Sequence, residues 1–419
     1  MSDSHQEVTG LLDHSARLSL KQKFKVVERR STLRALALLA PLLCFLVAFY
    51  VIPIGSILYH AVEDTKVRKI LPRTSMSLAT WDQKNLPEEK IYADLVVDLK
   101  ESYKNKTLPQ AGMRLNEEIS GFRSVVMKTA RKFKSDVEPP YKEKVISVND
   151  AWADIRYWKA FQASTGPFTS RYLLSVVDLQ RTFDGEVKQA AEERSIYIGY
   201  LSRTIKISFV VMLICCLLGY PMAFVVSGTT EKTRRILLLL ILIPFWVSLL
   251  VRTTSWFILL RTDGVVNDLL LWIGMIDQPL ELIFNRFAVY VSLVHIMLPF
   301  MVLPIYSVMR GISGDLSRAA SSLGAKPTAA FLTVYFPQTL PGLGAGCILV
   351  FVVTLGFYIT PALVGGAKDQ MLSYLIANFV TRLGNWSMAS AVALLLLVSV
   401  TLVLLVLFRV FKLNRMRLI

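Results

Sequence analysis

Six stretches of this 419-residue chain are apolar over lengths that reach or approach about 20 residues, the span an α-helix needs to cross a bilayer. They run roughly from Leu36 to Tyr59, Ile205 to Val226, Ile236 to Leu260, Ala288 to Met309, Gly342 to Leu363 and Met388 to Val410. Inside hydrocarbon a backbone must satisfy its own hydrogen bonds, so only helices and closed barrels can span. A barrel would show alternating segments of about ten residues. The fold class is therefore an all-α polytopic membrane protein with six transmembrane helices. Charged residues make up 19% of the chain, below the roughly 25% of soluble domains.

The formal charge of +16 does not point to nucleic acid, because the lysines and arginines gather at the ends of spans. The short loops fix an orientation. With the N-terminus inside, Lys232, Arg234, Arg235, Arg310, Arg318, Lys326, Arg409, Lys412, Arg415 and Arg417 also lie inside. The opposite short loops hold Arg261, Arg286, Lys368 and Arg382. Both termini are expected in the cytoplasm. The organisation follows as a tail over 1–34, a first span over 35–60 that reads as a retained anchor, and a largely helical extracytoplasmic insert over 61–203. A transmembrane domain over 204–412 then carries a cytoplasmic loop at 311–341, and a short tail occupies 413–419.

The insert mixes charges of both signs. In EEKIYADLVVDLKESY, Ile91, Leu95, Val96 and Leu99 recur at helical spacing. In NEEISGFRSVVMKTARKF, Ile119, Phe122, Val125, Val126 and Phe133 nearly do so, which predicts helix there as well. Trp152, Tyr157, Trp158, Phe161, Phe168 and Tyr172 read as a small core. Prolines 41, 53, 221, 244, 299, 304 and 361 fall within spans and each removes a helix hydrogen bond. The connections TDGVVNDLLLWIGMIDQPL and DQMLSYLIANFVTRLGNW read as half-helices or interfacial segments.

Catalytic chemistry is not legible. There is no phosphate-cradling G-x-x-x-x-G-K-[ST] and no H-E-x-x-H. Cys44, Cys215, Cys216 and Cys347 all fall in apolar runs without metal spacing. No metal, cofactor or disulfide is expected. The glycines of GLGAG, at 342, 344 and 346, open a span and suit close helix packing rather than nucleotide binding. No chain of carboxylates runs through the spans, which weakens a proton-coupled carrier. Arg252 either lines a pathway or snorkels to the interface. His295 lies mid-span, more in the manner of a satisfied interior histidine than of a ligand.

The stretch SGDLSRAASSLGAKPTAAFLTVYFPQTLPG, between the fourth and fifth spans, reads as helix, turn, helix. Asp315 or Ser317 can cap the first helix. Ala319, Ala320 and Leu323 form a small apolar face, and Gly324 allows a left-handed end. Pro327 suits a second helix start, and Pro337 and Pro341 would redirect the chain. Physically this is either an ordinary inter-span loop or a rigid handle for a soluble partner.

The stretch resembles the EAA loop of ABC-importer permeases, with Ala319, Ala320, Gly324, Val334, Phe336 and Pro337 in register. It departs where Arg318 replaces the usual acid. LLGYPMAF, IPFWVSLLVRTTSWFILL, GVVNDLLLWIGMIDQPL, LPFMVLPIYSVM and TLGFYITPALVGG extend the resemblance to spermidine/putrescine-type permeases. It covers the first span and the region from about Tyr200 onward, not the insert. The resemblance implies a non-catalytic, multi-pass permease of the type I importer kind in a bacterial inner membrane. Its implied partners are an ABC ATPase dimer that binds ATP and Mg, a second related permease, a periplasmic solute-binding protein and membrane lipid. It implies that 317–328 is the coupling helix, with Ser317, Arg318, Ala319, Ala320, Leu323, Gly324, Ala325, Pro327 and Pro337 meeting the ATPase. Arg252, Trp256, His295 and Tyr358 are the candidate pathway residues, and a polyamine or related small cation is the implied cargo. The alternatives are a carrier or channel acting alone, and a membrane-anchored sensor that uses the insert.

Overall fold

A computed structural model of the chain describes residues 37–135, 138–182, 186–192 and 195–410. The expected tails over 1–34 and 413–419, and Lys412, Arg415 and Arg417, lie outside the described residues. The chain divides into two compact units, 1–59 and 60–419. The first contains nearly all of helix α1 (Ala37–His60), which is long and apolar enough to span a membrane. Its Val47–Val51 turn widens to a π-turn just ahead of Pro53, where the proline has no N–H to donate backwards.

Among the described residues the insert contains eight α-helices, a short 3-10 helix at Asp150–Ala153 and one hairpin. The α-helices are α2 (Lys66–Ile70), α3 (Pro72–Ala79), α4 (Glu89–Lys104), α5 (Leu108–Glu118), α6 (Phe122–Lys132), α7 (Tyr141–Val148), α8 (Ile155–Ala163) and α9 (Arg171–Ser175). The antiparallel strands β1 (Leu179–Arg181) and β2 (Val187–Gln189) follow. Ile91, Leu95, Val96 and Leu99 face inward from α4, as their spacing predicts. The second expected helix is in fact two. Gly121 adopts φ +90° between α5 and α6, a conformation open to glycine and costly for other residues. Trp152, Trp158 and Phe161 are buried in the insert's core, whereas Tyr172 is buried in a separate cluster with Leu372 and Met388 of the membrane helices. Phe168 is the exception and is exposed. The buried indoles keep hydrogen bonds, Trp152 Nε1 donating to Thr129 Oγ1 at 2.8 Å and Trp158 Nε1 to Trp152 O at 3.0 Å. Aromatic rings can be buried at little polar cost when their N–H groups are paired in this way.

The membrane helices follow as α10 (Tyr197–Gly228), α11 (Glu231–Trp246), α12 (Leu249–Leu259), α13 (Val265–Trp272), α14 (Arg286–Gly311), α15 (Gly314–Ser322), α16 (Pro327–Gly356), α17 (Ile359–Val364), α18 (Leu372–Thr381) and α19 (Trp386–Val410). Five helices (α1, α10, α14, α16 and α19) are long enough to span. The third expected span, over 236–260, is a pair, since α11 and α12 meet at a 94° bend. The break falls at Val247–Ser248, three residues beyond Pro244. Pro221, Pro299, Pro304 and Pro341 sit inside continuous helices, but the expected fifth span is interrupted, since α16 ends at Gly356 and Pro361 lies in the separate α17. The two segments read as half-helices contain α13 and α18.

The core of this region is α14 packed against α10 and α16. Glycine sets the spacing. A Cβ on Gly342 would lie 2.8 Å from Pro304 O and 3.0 Å from Ile305 Cα. Cβ atoms on Gly219 and Gly346 would each come within 2.8 Å of the Met301 side chain. Small residues let helices approach in lipid, where no hydrophobic drive pushes them together.

The insert meets the membrane helices through hydrogen bonds to Asn385, which are backed by a buried ionic network inside the insert. Arg114, 2% exposed, donates from Nε to Asp64 at 2.9 and 3.0 Å and from Nη1 to Glu118 Oε1 at 2.8 Å. Arg171 also pairs with Glu118. Asn385, just before α19, donates to Glu117 Oε1 at 2.7 Å and accepts from Lys66 Nζ at 3.4 Å. Burial disfavours the charge on Arg114, but the Asp64 carboxylate outweighs this and holds its pKa well above the ordinary value. Burial raises the Glu117 carboxyl, against the pull of Arg114 and Arg171.

Two predictions follow from this packing. Gly342→Ala, which meets fixed backbone, should destabilise the protein by about 1–3 kcal/mol, and Gly219→Ala, which meets a flexible methionine, should cost less; thermal unfolding in detergent compares them. Arg114→Met, which strands Asp64 while Glu118 keeps Arg171, should cost about 3–5 kcal/mol, and Arg114→Met/Asp64→Leu should recover part of that loss.

Candidate functional site

Two regions carry the residues singled out from sequence. The first is the connection from α14 to α16. Ser313, rather than Asp315 or Ser317, caps α15: its Oγ accepts from Asp315 N at 3.2 Å. The cap lies two residues earlier because α15 itself begins at Gly314. Arg318, standing where the resembled motif has an acid, pairs with Asp315 at 2.6 Å on an open surface. Ser317 lies on the same helix, its side chain outside the described residues. Ala319 is exposed and Ala320 half-buried, and Leu323 is 90% exposed.

The helix ends in a Schellman arrangement. Gly324 takes φ +86°, Gly324 N donates to Ser321 O at 3.0 Å and Ala325 N to Ala320 O at 3.1 Å. The stretch is thus the helix, turn and helix that its sequence predicts, with a helix to Ser322, a left-handed turn at Gly324 and a new helix that starts at Pro327. Redirection happens at Gly324, not at the later prolines. Pro337 and Pro341 lie within α16, whose Phe331–Tyr335 turn widens to a π-turn ahead of them.

An aromatic cluster ties this corner to α10. Phe224 meets Phe331 and Tyr335 edge-on, each with ring centroids 5.7 Å apart, and Tyr220 OH lies 3.1 Å from Thr339 Oγ1. Sequence reading missed this cluster. Its members are spread over two spans and look like ordinary apolar residues.

The second region is the bent pair. Ser248 caps α12 by accepting from Val251 N at 3.3 Å. Two side-chain bonds then hold α12. Thr253 and Thr360 hydroxyls lie 3.0 Å apart, and Trp256 Nε1 donates to His295 Nδ1 at 3.1 Å. Arg252 is one turn before Trp256 and its Nε is buried without a hydrogen-bond partner. Three of the four candidate pathway residues are thus brought together. Tyr358, 41% exposed at the head of α17, is linked to them through Thr360 two residues on. His295 also lines an apolar cavity of about 600 Å³ among α10, α11 and α14, whose other walls include Pro221, Leu240, Pro244 and Pro299.

Beyond α12 the chain forms a groove of about 960 Å³ lined by Asp263, Asp268, Glu281, Phe257 and Phe284. Arg261 pairs with Asp263 at 3.0 Å. Buried Asn267 braces this loop, donating from Nδ2 to Leu280 O and accepting from Leu280 N, both at 2.9 Å. The three carboxylates were not singled out in sequence, because eighteen residues separate the first from the last and only the Asn267 brace closes that distance. Among the described residues no group of three or more potential ligands could hold a metal.

Residues 216–417 match the family described as binding-protein-dependent transport system inner membrane component. The chain is 35% identical over 218 residues to the spermidine/putrescine transport system permease protein PotB of Escherichia coli K12, an alignment that covers 52% of this chain and 79% of that protein. It is 31% identical over 223 residues to the inner membrane ABC transporter permease protein YdcU of the same organism, covering 48% of this chain and 68% of that one. Among solved structures, a bacterial ABC transporter involved in import of the acidic polysaccharide alginate aligns with a TM-score of 0.46 at 15% identity, over 54% of this chain and 81% of that one.

Proposed function

The chain belongs to the family of inner membrane components of binding-protein-dependent transport systems, and on that premise we propose that it lines the route of a polyamine through an ATP-driven importer. As a permease of such an importer it is not itself catalytic; the ATPase is a separate subunit. The cargo reading draws on the similarity to PotB. The observation that carries it is the groove beyond α12, where Asp263, Asp268 and Glu281 stand beside the rings of Phe257 and Phe284. Carboxylates attract a chain of ammonium groups, and aromatic faces add cation–π attraction.

In this reading the groove and the insert face the periplasm, where a solute-binding protein delivers cargo, and both termini lie in the cytoplasm. The α14–α16 connection is then cytoplasmic. Exposed Leu323 enters a groove on the ATPase, and the Gly324 turn transmits its movement to α16. A second permease completes the pathway, and rocking of the two bundles alternates access. Arg318 does not supply the acidic contact of the resembled motif, since its charge is directed to Asp315.

Uptake of labelled putrescine and spermidine is measured in cells lacking the chain, complemented with wild type or variants. Wild type should restore uptake. Gly324→Val, which forces a β-branched residue to φ +86° at a cost of roughly 1–2 kcal/mol, should abolish uptake while the chain remains in the membrane. Asp268→Asn/Glu281→Gln should raise the apparent KM roughly two- to tenfold, the range of two exposed charge contacts. Unchanged uptake in the deletion strain would overturn the polyamine assignment, and full uptake by Gly324→Val would overturn the coupling role.

A further inference from the structure

The hydrogen bond between Trp256 and His295 constrains chemistry as well as geometry. An indole N–H donates and has no lone pair to accept with. His295 Nδ1 must therefore accept, which leaves the imidazole neutral with its one hydrogen on Nε2. Histidine passes protons along a pathway by taking one at one nitrogen and releasing another from the other. With the Nδ1 lone pair occupied by the indole hydrogen, that relay is closed on one side. The indole cannot stand in for it, because its hydrogen is not exchanged as an acid at physiological pH.

The surroundings keep the imidazole isolated. The cavity walls from α10 and α11, Pro221, Met222, Val225, Val226, Leu237, Leu240, Ile241 and Pro244, carry no titratable group. Helix α10 carries Cys215, whose thiol is engaged with Val294 O at 3.8 Å, Cys216, and Tyr220, whose hydroxyl lies 3.1 Å from Thr339 Oγ1. Helix α16 offers only Cys347 between Phe336 and Gly356, and Tyr358 stands at the head of α17. The charged neighbour is Arg252, one turn back on α12, and a fixed cation there opposes the arrival of a second positive charge on the ring.

We propose that Trp256 is a positioning residue that locks His295 in its neutral Nε2–H form, and that this lock, with Arg252, keeps the importer's pathway from conducting protons. The proposal rests on the reading of this chain as a pathway-forming permease, not on the identity of its cargo. It also accounts for a histidine mid-span in a chain whose spans hold no carboxylate relay. An ATP-driven importer gains nothing from a proton path and would dissipate the membrane gradient through one.

The test uses the assembled importer in lipid vesicles. The full chain has four histidines, so nitrogen-15 histidine spectra are simple and His295→Asn identifies the signal. Wild-type His295 should show one bare and one protonated nitrogen at both pH 7.5 and pH 5.5. In Trp256→Phe the Nδ1 lone pair is freed, so a protonated Nδ1 signal absent from wild type should appear on going from pH 7.5 to pH 5.5. Proton permeability without any cargo should rise severalfold in Trp256→Phe and return to the wild-type level in Trp256→Phe/His295→Asn. An imidazolium in wild type at pH 5.5, or a hydrogen on Nδ1, would overturn the lock. A Trp256→Phe leak equal to wild type, or a double variant as leaky as the single, would overturn the barrier. Failure of polyamine uptake would leave these readouts intact and count against the cargo alone.

Discussion

The close approach of α14 to its two neighbours is the contact on which the remaining arrangement depends. Met301 is fully buried and lies against Gly219 of α10 on one side and Gly346 of α16 on the other. Six residues before it on the same helix is His295, and twelve residues after it is Ser313, which caps α15. The Trp256–His295 contact and the corner capped by Ser313 are therefore mounted on one rod. In lipid such a rod is held by packing, because neighbouring tails offer apolar surface as good as another helix. Bulk at Gly342 would move both ends together.

Around this fixed trio the structure places its bend in α11–α12. A 94° turn at Val247–Ser248 leaves α12 too short to span and holds it by two side-chain hydrogen bonds, to Thr360 and to His295. Each is worth about 1 kcal/mol net, so α12 is seated firmly enough to position Arg252 and Trp256 and weakly enough to move with an ATP-driven cycle. The Gly324 turn at the opposite end of α14 is the stiffer element, since backbone hydrogen bonds close it.

The insert contributes differently. Its core is aromatic, and it meets the membrane helices through an apolar cluster, in which Tyr172 and Val176 pack with Leu372, Met388 and Val392, and through hydrogen bonds to Asn385. Buried Arg114 is satisfied by Asp64 and Glu118, and the network continues through Glu117 to Asn385 at the head of α19. A buried ion pair adds little net stability but is costly to break and strict in geometry. That suits a network that backs the contact with Asn385.

Sequence by itself determined the membrane class, most of the spanning segments, the helical insert with its aromatic core, and the left-handed turn at Gly324. Each of these rests on local physics: hydrocarbon thickness sets run length, period 3.6 marks a helix face, and glycine alone takes φ +86° without strain. The α4 face and the GLGAG packing were legible for this reason. What tertiary structure decided depends on partners distant in the chain. The bend fell after Pro244 and not at Pro221 or Pro299, because a proline breaks a helix only where neighbours do not hold it straight. Ser313 took the cap because α15 began earlier than its composition suggested. Trp256 found His295 thirty-nine residues away, and Arg114 found Asp64 fifty residues away. No local pattern encodes those pairings, since each side chain alone is compatible with many surroundings and only the packed helices select one.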